Sequence, residues 1–448
     1  MTSILILGAG MVARPLVQYL LAQDKFKVLV ASRTLSKAEA LIGNHPSGKA
    51  QRLDVTDTKA LIRLISSSDL VISLLPYVHH MKVADYCIQY RKPMVTTSYV
   101  SKEMAGLDER ARDAGIIILN EIGLDPGIDH MSAMKLIHDV QNRRGKVVSF
   151  RSYCGALPAP EAATNPFKYK FSWSPRGVVL AAKNSARYLK DGEEVRVSGE
   201  HLFDDCSIVA LEGLGDFESY PNRDSLGYIE KYGISTAHTM FRGTLRYPGW
   251  CETWKSLGQL GFLDESEQEL RGISYSGLLG ILLEKITDSG PVPAEDLRRK
   301  TAQYLQIKER SPVIQRFDWL GLYSNESIPL DRGSPLDVLA GRLLEKLKYD
   351  EGERDMVALH HEVTAEYEGG EKQRLTSTLI DYGEPGGDTA VARTVALPAA
   401  VATKLILQGK IDLKGVHIPV HPSIYEPVLA ELQELGIVCC EKTMRLRE

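Results

Sequence analysis

The sequence predicts an α/β protein with three parts: a Rossmann-type, doubly wound parallel sheet, a second α/β domain with a mixed sheet, and a helical domain. Three observations carry this reading. An apolar, branched run, Ser3-Ile4-Leu5-Ile6-Leu7, leads at once into Gly8-Ala9-Gly10-Met11-Val12-Ala13. Strand-like and helix-like patterns then alternate to about residue 120, as in a parallel sheet covered on both faces. Beyond residue 128 the pattern turns to alternating strands, and from about 252 to 348 to helical spacing.

Strand, glycine turn and helix, in that order, form the context of a dinucleotide fingerprint. Gly8 permits the tight turn, Gly10 lets the backbone approach a pyrophosphate, and Ala13 keeps the helix close to the strand. The phosphates then meet N–H groups at the helix start, where the dipole favours negative charge. Lys27-Val28-Leu29-Val30-Ala31 reads as the second strand. NAD enzymes usually place an acid at its end for the ribose 2′-OH; this chain has Ser32-Arg33-Thr34. A guanidinium and two hydroxyls attract a 2′-phosphate, so the cofactor expected is NADP(H).

Further strands are predicted at Gln51–Val55, Asp69–Leu75, Lys92–Thr97 and Gly115–Leu119, with a helix over Lys59–Ile65. Ligands of such sheets bind beyond the carboxyl ends of the strands, which singles out Pro76-Tyr77, Ser98-Tyr99 and Asn120–Gly127. A helix over Asp129–Val140 leads out of this domain, and Val147–Tyr153 alternates as a strand. A long polar, Pro/Gly-rich loop is expected from Gly155 to Gly177, and loops of that length usually carry function. Helices are predicted over Tyr275–Ile286, Glu295–Leu305 and Leu336–Leu347, with prolines near the helix starts. Asp355–Tyr367 and Lys372–Tyr382 form a hairpin around Gly369-Gly370. Ala390–Leu407 is a helix broken or kinked at Pro398, and Asp412–Glu448 closes with a helix over Tyr425–Leu435. This C-terminal stretch is expected to pack back on the nucleotide domain.

At 448 residues the chain exceeds one ordinary core. Hydrophobic content of 44%, charged content of 25% and a net charge of −4 describe an ordinary globular composition. They give no reason to expect nucleic acid or an acidic membrane as partner. No stretch reads as apolar enough to span a bilayer, and the start leaves no room for a signal peptide. Six scattered cysteines do not make a disulfide framework, so a cytoplasmic location is expected. His79-His80 and His360-His361 are adjacent pairs that do not chelate one ion. Pro419 separates His417 from His421, so no metal site is predicted.

Hydride chemistry requires that the protein orient the substrate and manage protons. Asp125 lies just past the strand ending near Leu119. Its carboxylate can stabilise a cationic iminium or exchange protons with an amine; the alternative is a cap on the turn before the next helix. Cys154 follows a strand and precedes a glycine, either as a reactive thiol or as a small buried hydrophobe. Arg223, in Tyr220–Ser225, and the two arginines of Arg242–Tyr247 suit a multiply anionic ligand.

Several blocks together resemble the saccharopine dehydrogenase family of the L-glutamate-forming kind. They are Val71–Tyr77, Val95–Tyr99, Glu121–His130, Ser152–Gly155 with Leu157–Glu161, Tyr169–Ser174, Pro221–Ser225 and Arg242–Tyr247. The resemblance runs nearly end to end. It implies NADPH-dependent condensation of L-glutamate with L-2-aminoadipate 6-semialdehyde to saccharopine, the penultimate step of the aminoadipate route to lysine. It further implies a homodimer with small-molecule substrates. By resemblance, Gly8, Gly10, Met11, Val12, Ser32, Arg33, Thr34, Asp54, Val55, Leu75, Tyr77, Ser98 and Leu124 line the cofactor. Ser98, Tyr99, Asp125, Phe171, Arg223, Thr244, Leu245 and Arg246 line saccharopine, and Tyr99, Asp125 and Cys154 are the candidates for catalysis. The implied domains are 1–125 with about 390–448 for the nucleotide, 126–251 with 349–389 for substrate and dimerisation, and a helical 252–348. NAD-linked catabolic relatives share most blocks, so direction rests on Arg33. Another reductive-aminating enzyme and a non-catalytic NADPH-sensing regulator are the other readings.

Overall fold

A computed structural model describes residues 1–446 other than 174 and 289. Ser174, which ends one of the family blocks, and Glu448, which ends the last predicted stretch, lie outside the described residues. The chain forms two compact units: Met1–Ser152 with Glu230–Ala237 and Met356–Glu448, and Tyr153–Ile229 with His238–Asp355.

The first unit holds the nucleotide-type sheet. Strands β1 (Thr2–Leu7), β2 (Phe26–Ser32), β3 (Gly48–Arg52), β4 (Leu70–Ser73), β5 (Met94–Val95) and β6 (Ile117–Leu119) are joined by Gly415–His417. All seven are parallel, in the order Gly415–His417, β6, β5, β4, β1, β2, β3. The order reverses at β1 and β4, which opens a crevice at their carboxyl ends. Helices α1 (Ala13–Leu21), α2 (Leu35–Ile42), α3 (Thr58–Ser66), α4 (His80–Gln89), α5 (Lys102–Ala105) and α6 (Asp108–Asp113) connect the strands. Leu5, Leu7, Leu61, Ile65, Val71, Val83, Met94 and Ile118 share one core. Buried on both faces, the inner strands β1, β4, β5 and β6 read as apolar runs rather than alternating ones.

Strand β3 begins and ends earlier than the expected Gln51–Val55. The Asp54 side chain accepts hydrogen bonds from the Thr56 N–H (2.9 Å) and hydroxyl (2.7 Å), a local turn that stops the strand. Ala390–Leu407 runs as one helix through Pro398 rather than breaking there. By length and composition it could cross a membrane, which corrects the expectation that no stretch could. Most of it is buried inside the first unit, against α1 and the helix Pro422–Glu434. Packing around the helix outweighs the roughly 3 kcal/mol that an interior proline costs.

Helix α7 (Ile128–Asn142) precedes the long strand Lys146–Pro158, which contributes to both units. The strand thus occupies the start of the expected loop; the remainder holds a short 3-10 turn at Pro160–Ala162 and a helix at Pro175–Ala181. The hairpin Asp355–Glu366 and Lys372–Tyr382 forms as predicted, with Gly369 and Gly370 at φ 86° and 83°. Gly415–His417 returns to the nucleotide sheet as expected. The last strand, Cys440–Leu446, instead pairs antiparallel with Lys372–Tyr382. Nearly all of its side chains are exposed, a pattern that suits an outer edge and not a doubly covered parallel sheet.

In the second unit Ser207–Leu211, Gly215–Pro221 and Thr239–Arg246 form an antiparallel ladder, and Ala186–Lys190 with Glu193–Val197 adds a hairpin. Helices Trp250–Gln259, Tyr275–Thr287, Leu297–Tyr304, Pro312–Leu320 and Pro335–Lys346 follow. Pro312 and Pro335 occupy first-turn positions behind capping Ser311 and Ser334, and Ser334 forms a capping box with Asp337. Cys206 and Cys251 form one disulfide across 45 residues, which the expectation of no disulfide framework did not foresee. Spacing along the chain does not show which cysteines meet.

Candidate active site

The residues read as cofactor-lining lie at or beyond the carboxyl ends of the parallel strands. Gly8 follows β1 at φ 113°, and a Cβ there would stand 2.9 Å from the Leu74 carbonyl oxygen. A Cβ on Gly10 would point into open space, which leaves room for a ligand against the backbone. Met11 is exposed, and Val12 provides no side-chain cap to α1. Ser32 ends β2 and accepts a hydrogen bond from the Thr34 N–H (3.3 Å); Arg33 and Thr34 are exposed. The Thr56 backbone and hydroxyl hydrogen bonds, with a smaller contribution from the Arg33 charge, hold Asp54 below the usual carboxylate range. Val55 accepts from Lys82 Nζ through its carbonyl (3.0 Å). Leu75 and Tyr77 follow β4, Ser98 follows β5, and Leu124 follows β6; Tyr77 is 77% exposed and Leu124 is buried. An open glycine turn beside an exposed arginine and two hydroxyls fits a dinucleotide bearing an extra phosphate.

Beyond β5 and β6 the chain builds a polar cluster. The Tyr99 hydroxyl donates to Asp125 Oδ1 at 3.0 Å. The N-cap of α7 is Gly127, whose N–H donates to Asp129 Oδ1 (2.5 Å). His80 Nδ1 meets Ser73 Oγ at 2.9 Å, and its Nε2 meets Ser98 Oγ at 2.8 Å and Thr96 Oγ1 at 3.3 Å. Burial pushes the His80 imidazole down to about 4, so at neutral pH it is an uncharged link between strand ends. Glu121 and His130 form a buried pair (Oε2 to Nε2, 2.7 Å), and His130 Nδ1 meets the Tyr232 hydroxyl at 2.7 Å. Burial pushes the Glu121 carboxyl up, but the hydrogen bond and charge of His130 and the Val100 N–H outweigh it and leave it lowered. Sequence reading gave neither His80 nor the Glu121–His130–Tyr232 chain a role. Glu121 and His130 stood in a family block, but only the fold brings Tyr232 to them.

In the second unit Arg246 is 5% exposed and lies among three rings. Its guanidinium carbon is 5.0 Å from the centre of Tyr169, 5.1 Å from Trp250 and 6.0 Å from Tyr220. Nη1 donates to the Leu245 carbonyl (2.8 Å), and Nε has no hydrogen-bond partner among the described residues. A desolvated cation with a spare donor is suited to an anionic ligand. Glu218 fixes the turn that follows, accepting from the Gly249 and Cys251 N–H groups at 2.7 and 2.8 Å. Phe171 meets the Tyr169 ring edge-on at 5.5 Å. Thr244 is half-buried and Leu245 fully buried, opposite Tyr220 and Ser219 in the ladder. Cys154 is buried on its strand; a Cβ on its neighbour Gly155 would stand 2.8 Å from Leu245 Cβ, so the two strands pass closely there. Arg223 is exposed in the turn after Gly215–Pro221 at φ 54°, its carbonyl accepting from the Arg187 N–H (2.9 Å). Tyr169, Tyr220 and Trp250 had no assigned role in the sequence, because the box draws on separate segments.

Among the described residues no group of three or more His, Cys, Asp or Glu is placed to hold a metal ion. Residues 4–119 match the saccharopine dehydrogenase NADP binding domain, and residues 123–437 the saccharopine dehydrogenase C-terminal domain. The chain is 43% identical over 441 residues to saccharopine dehydrogenase [NADP(+), L-glutamate-forming] of Schizosaccharomyces pombe, covering 98% of each. It is 40% identical to the alpha-aminoadipic semialdehyde synthase of Arabidopsis thaliana, covering 98% of this chain but 45% of that protein. The apo saccharopine dehydrogenase (L-Glu forming) of Saccharomyces cerevisiae superposes with a TM-score of 0.92 at 42% identity, over 99% of this chain and 100% of that one. The homospermidine synthase of Legionella pneumophila, at 10% identity and a TM-score of 0.54, shares the fold alone. With both domains matched in order and a fungal relative alike from end to end, this chain belongs to the saccharopine dehydrogenase family.

Proposed function

We propose that this chain is an NADP(H)-dependent oxidoreductase acting on a CH–NH bond. It condenses L-glutamate with L-2-aminoadipate 6-semialdehyde and reduces the product to saccharopine, the penultimate step of lysine biosynthesis by the aminoadipate route. The observation that carries this reading is the 43% identity over 98% of both chains with an enzyme named for that reaction.

NADPH supplies the hydride when bound. Gly8 and Gly10 bring the backbone to the pyrophosphate, and Arg33 with Ser32 and Thr34 holds the 2′-phosphate. Met11, Val12, Asp54, Val55, Leu75, Tyr77, Ser98 and Leu124 complete that surface. Arg246, in its aromatic box, and Arg223 bind substrate carboxylates, supported by Thr244, Leu245 and Phe171. The reacting nitrogen gains or loses a proton in each direction. Asp125, hydrogen-bonded to Tyr99, is the group assigned to steady the cationic imine and exchange that proton. Cys154 is a second candidate for that exchange. One disulfide is not a disulfide framework, so the enzyme is still assigned to the cytoplasm, as a homodimer on small-molecule substrates with neither nucleic acid nor membrane as partner. Light scattering at twice 49.7 kDa and cell fractionation check those two points.

The test is absorbance at the nicotinamide band on mixing the protein with saccharopine and either NADP or NAD. Saccharopine-dependent reduction of NADP with release of glutamate is expected. Preference for NAD would favour a catabolic enzyme. Tight NADPH binding without turnover would favour a sensor and overturn the proposal.

A further inference from the structure

We infer that Glu121 is a positioning residue for Tyr99, acting through the backbone on both sides of it. The inference rests on the proposed reading of Tyr99 and Asp125 as the groups that serve the reacting nitrogen. Glu121 stands two residues past β6 at φ 57°. That left-handed conformation is uncommon for a non-glycine residue and persists where surroundings over-determine it. Its own N–H donates to the Ser98 carbonyl at 3.1 Å. Its carboxylate Oε1 accepts from the Val100 N–H at 2.9 Å. Ser98 and Val100 are the two neighbours of Tyr99, so one residue grips the chain immediately before and after the tyrosine. The Tyr99 hydroxyl then reaches Asp125 Oδ1 at 3.0 Å, and Asp125 lies four residues beyond Glu121. The same residue therefore sets the start of one partner's loop and the backbone of the other.

The far carboxylate oxygen is itself tied down. Oε2 meets His130 Nε2 on α7, whose Nδ1 meets the Tyr232 hydroxyl, both at 2.7 Å. Glu121, His130 and Tyr232 are 1%, 0% and 2% exposed. Apolar side chains of similar volume would dock α7 on the sheet without burying a carboxylate. What they would not supply is an acceptor aimed at the Val100 N–H. The polar chain thus fixes a direction at Tyr99.

The test compares Glu121→Ala, Glu121→Gln and Tyr99→Phe, alone and combined, in saccharopine oxidation with NADP, alongside NADPH binding by fluorescence. Glu121→Ala is expected to lower kcat roughly 10- to 100-fold, the range for a small misplacement of a reacting group, with NADPH affinity little changed, because the variant keeps the backbone N–H that holds the cofactor-lining Ser98. Glu121→Gln should retain most activity, because its amide oxygen still accepts from Val100 while its NH2 donates to His130 Nε2, the imidazole carrying its proton on Nδ1 and donating to the Tyr232 oxygen. In the Tyr99→Phe background the Glu121→Ala loss should largely vanish, since the two act as one unit. Should Glu121→Ala fail to fold, Glu121→Asp, one methylene shorter, carries the same cycle. Full independence of the two positions, kcat within about threefold of the parent, or a parallel loss of NADPH binding overturns the inference. Absence of saccharopine turnover in the unmutated protein would instead overturn the proposed function.

Discussion

The nucleotide cradle and the Arg246 box are built by opposite means. The cradle is assembled from strand ends, and much of what it offers is backbone or exposed side chain: the Gly10 turn, Met11, Arg33, Thr34 and Tyr77. The Arg246 guanidinium is instead buried and stacked among Tyr169, Trp250 and Tyr220. An open cradle suits a cofactor that must come and go each turnover, and its selectivity then rests on a few charge-assisted contacts. A buried cation is desolvated before the ligand arrives, so each contact it makes in the low-dielectric interior counts for more. On the proposed assignment, cofactor choice rests on exposed groups that are open to substitution, whereas substrate recognition rests on a packed environment.

The comparison breaks most decisively at Arg246. Arg246→Ala is expected to lower kcat/KM for saccharopine by about 1000-fold, as for truncating one partner of a buried, hydrogen-bonded charge pair at roughly 2–5 kcal/mol, with the NADPH dissociation constant unchanged. Arg246→Lys should recover little, because an ammonium lacks the planar fork. A parallel loss of NADPH binding in steady-state and titration data would contradict the separation of roles.

Asp125→Asn comes next, with kcat for saccharopine oxidation down about 100-fold, within the range for one acid–base group. If Asp125 exchanges the amine proton, kcat of the variant should respond less to pH than that of the unmutated protein; an identical pH dependence would remove Asp125 from proton handling. Arg33→Asp should raise the NADPH dissociation constant about 10- to 100-fold, as for one or two charge-assisted contacts, and change NADH little. Equal losses for the two cofactors would show that Arg33 does not read the 2′-phosphate.

The smallest effect sharpens the nucleotide side of the comparison through pH. The folded state lowers the His80 imidazole from 6.5 to about 4, so the unfolded chain takes up a proton first as pH falls. The contribution to stability is full above pH 6.5 and is lost progressively down to about pH 4. Between pH 6.5 and 5.5 the unfolding free energy should fall by about 1 kcal/mol on this account. Denaturant titrations at both pH values should show a flatter response in His80→Asn.

Local features were legible because their causes are local. The strand–turn–helix start follows from an apolar run and from Gly8, whose φ of 113° and contact with Leu74 exclude a side chain. The hairpin at Gly369-Gly370 and the helices opened by Pro312 and Pro335 follow from turn and cap chemistry. Edges were less legible, as at β3, where Asp54 and Thr56 compete for the backbone.

By itself the sequence determined the parallel nucleotide sheet, the family, and the short stretches that end at its carboxyl edge, because periodicity and turn chemistry act within a few residues. Only the tertiary structure decided that Cys206 meets Cys251, that Ala390–Leu407 is a core helix, that Arg246 sits in an aromatic box, and that Glu121 grips both neighbours of Tyr99. Each depends on where the chain path carries residues distant in sequence, and packing and desolvation, which set their chemistry, exist only once that path is closed.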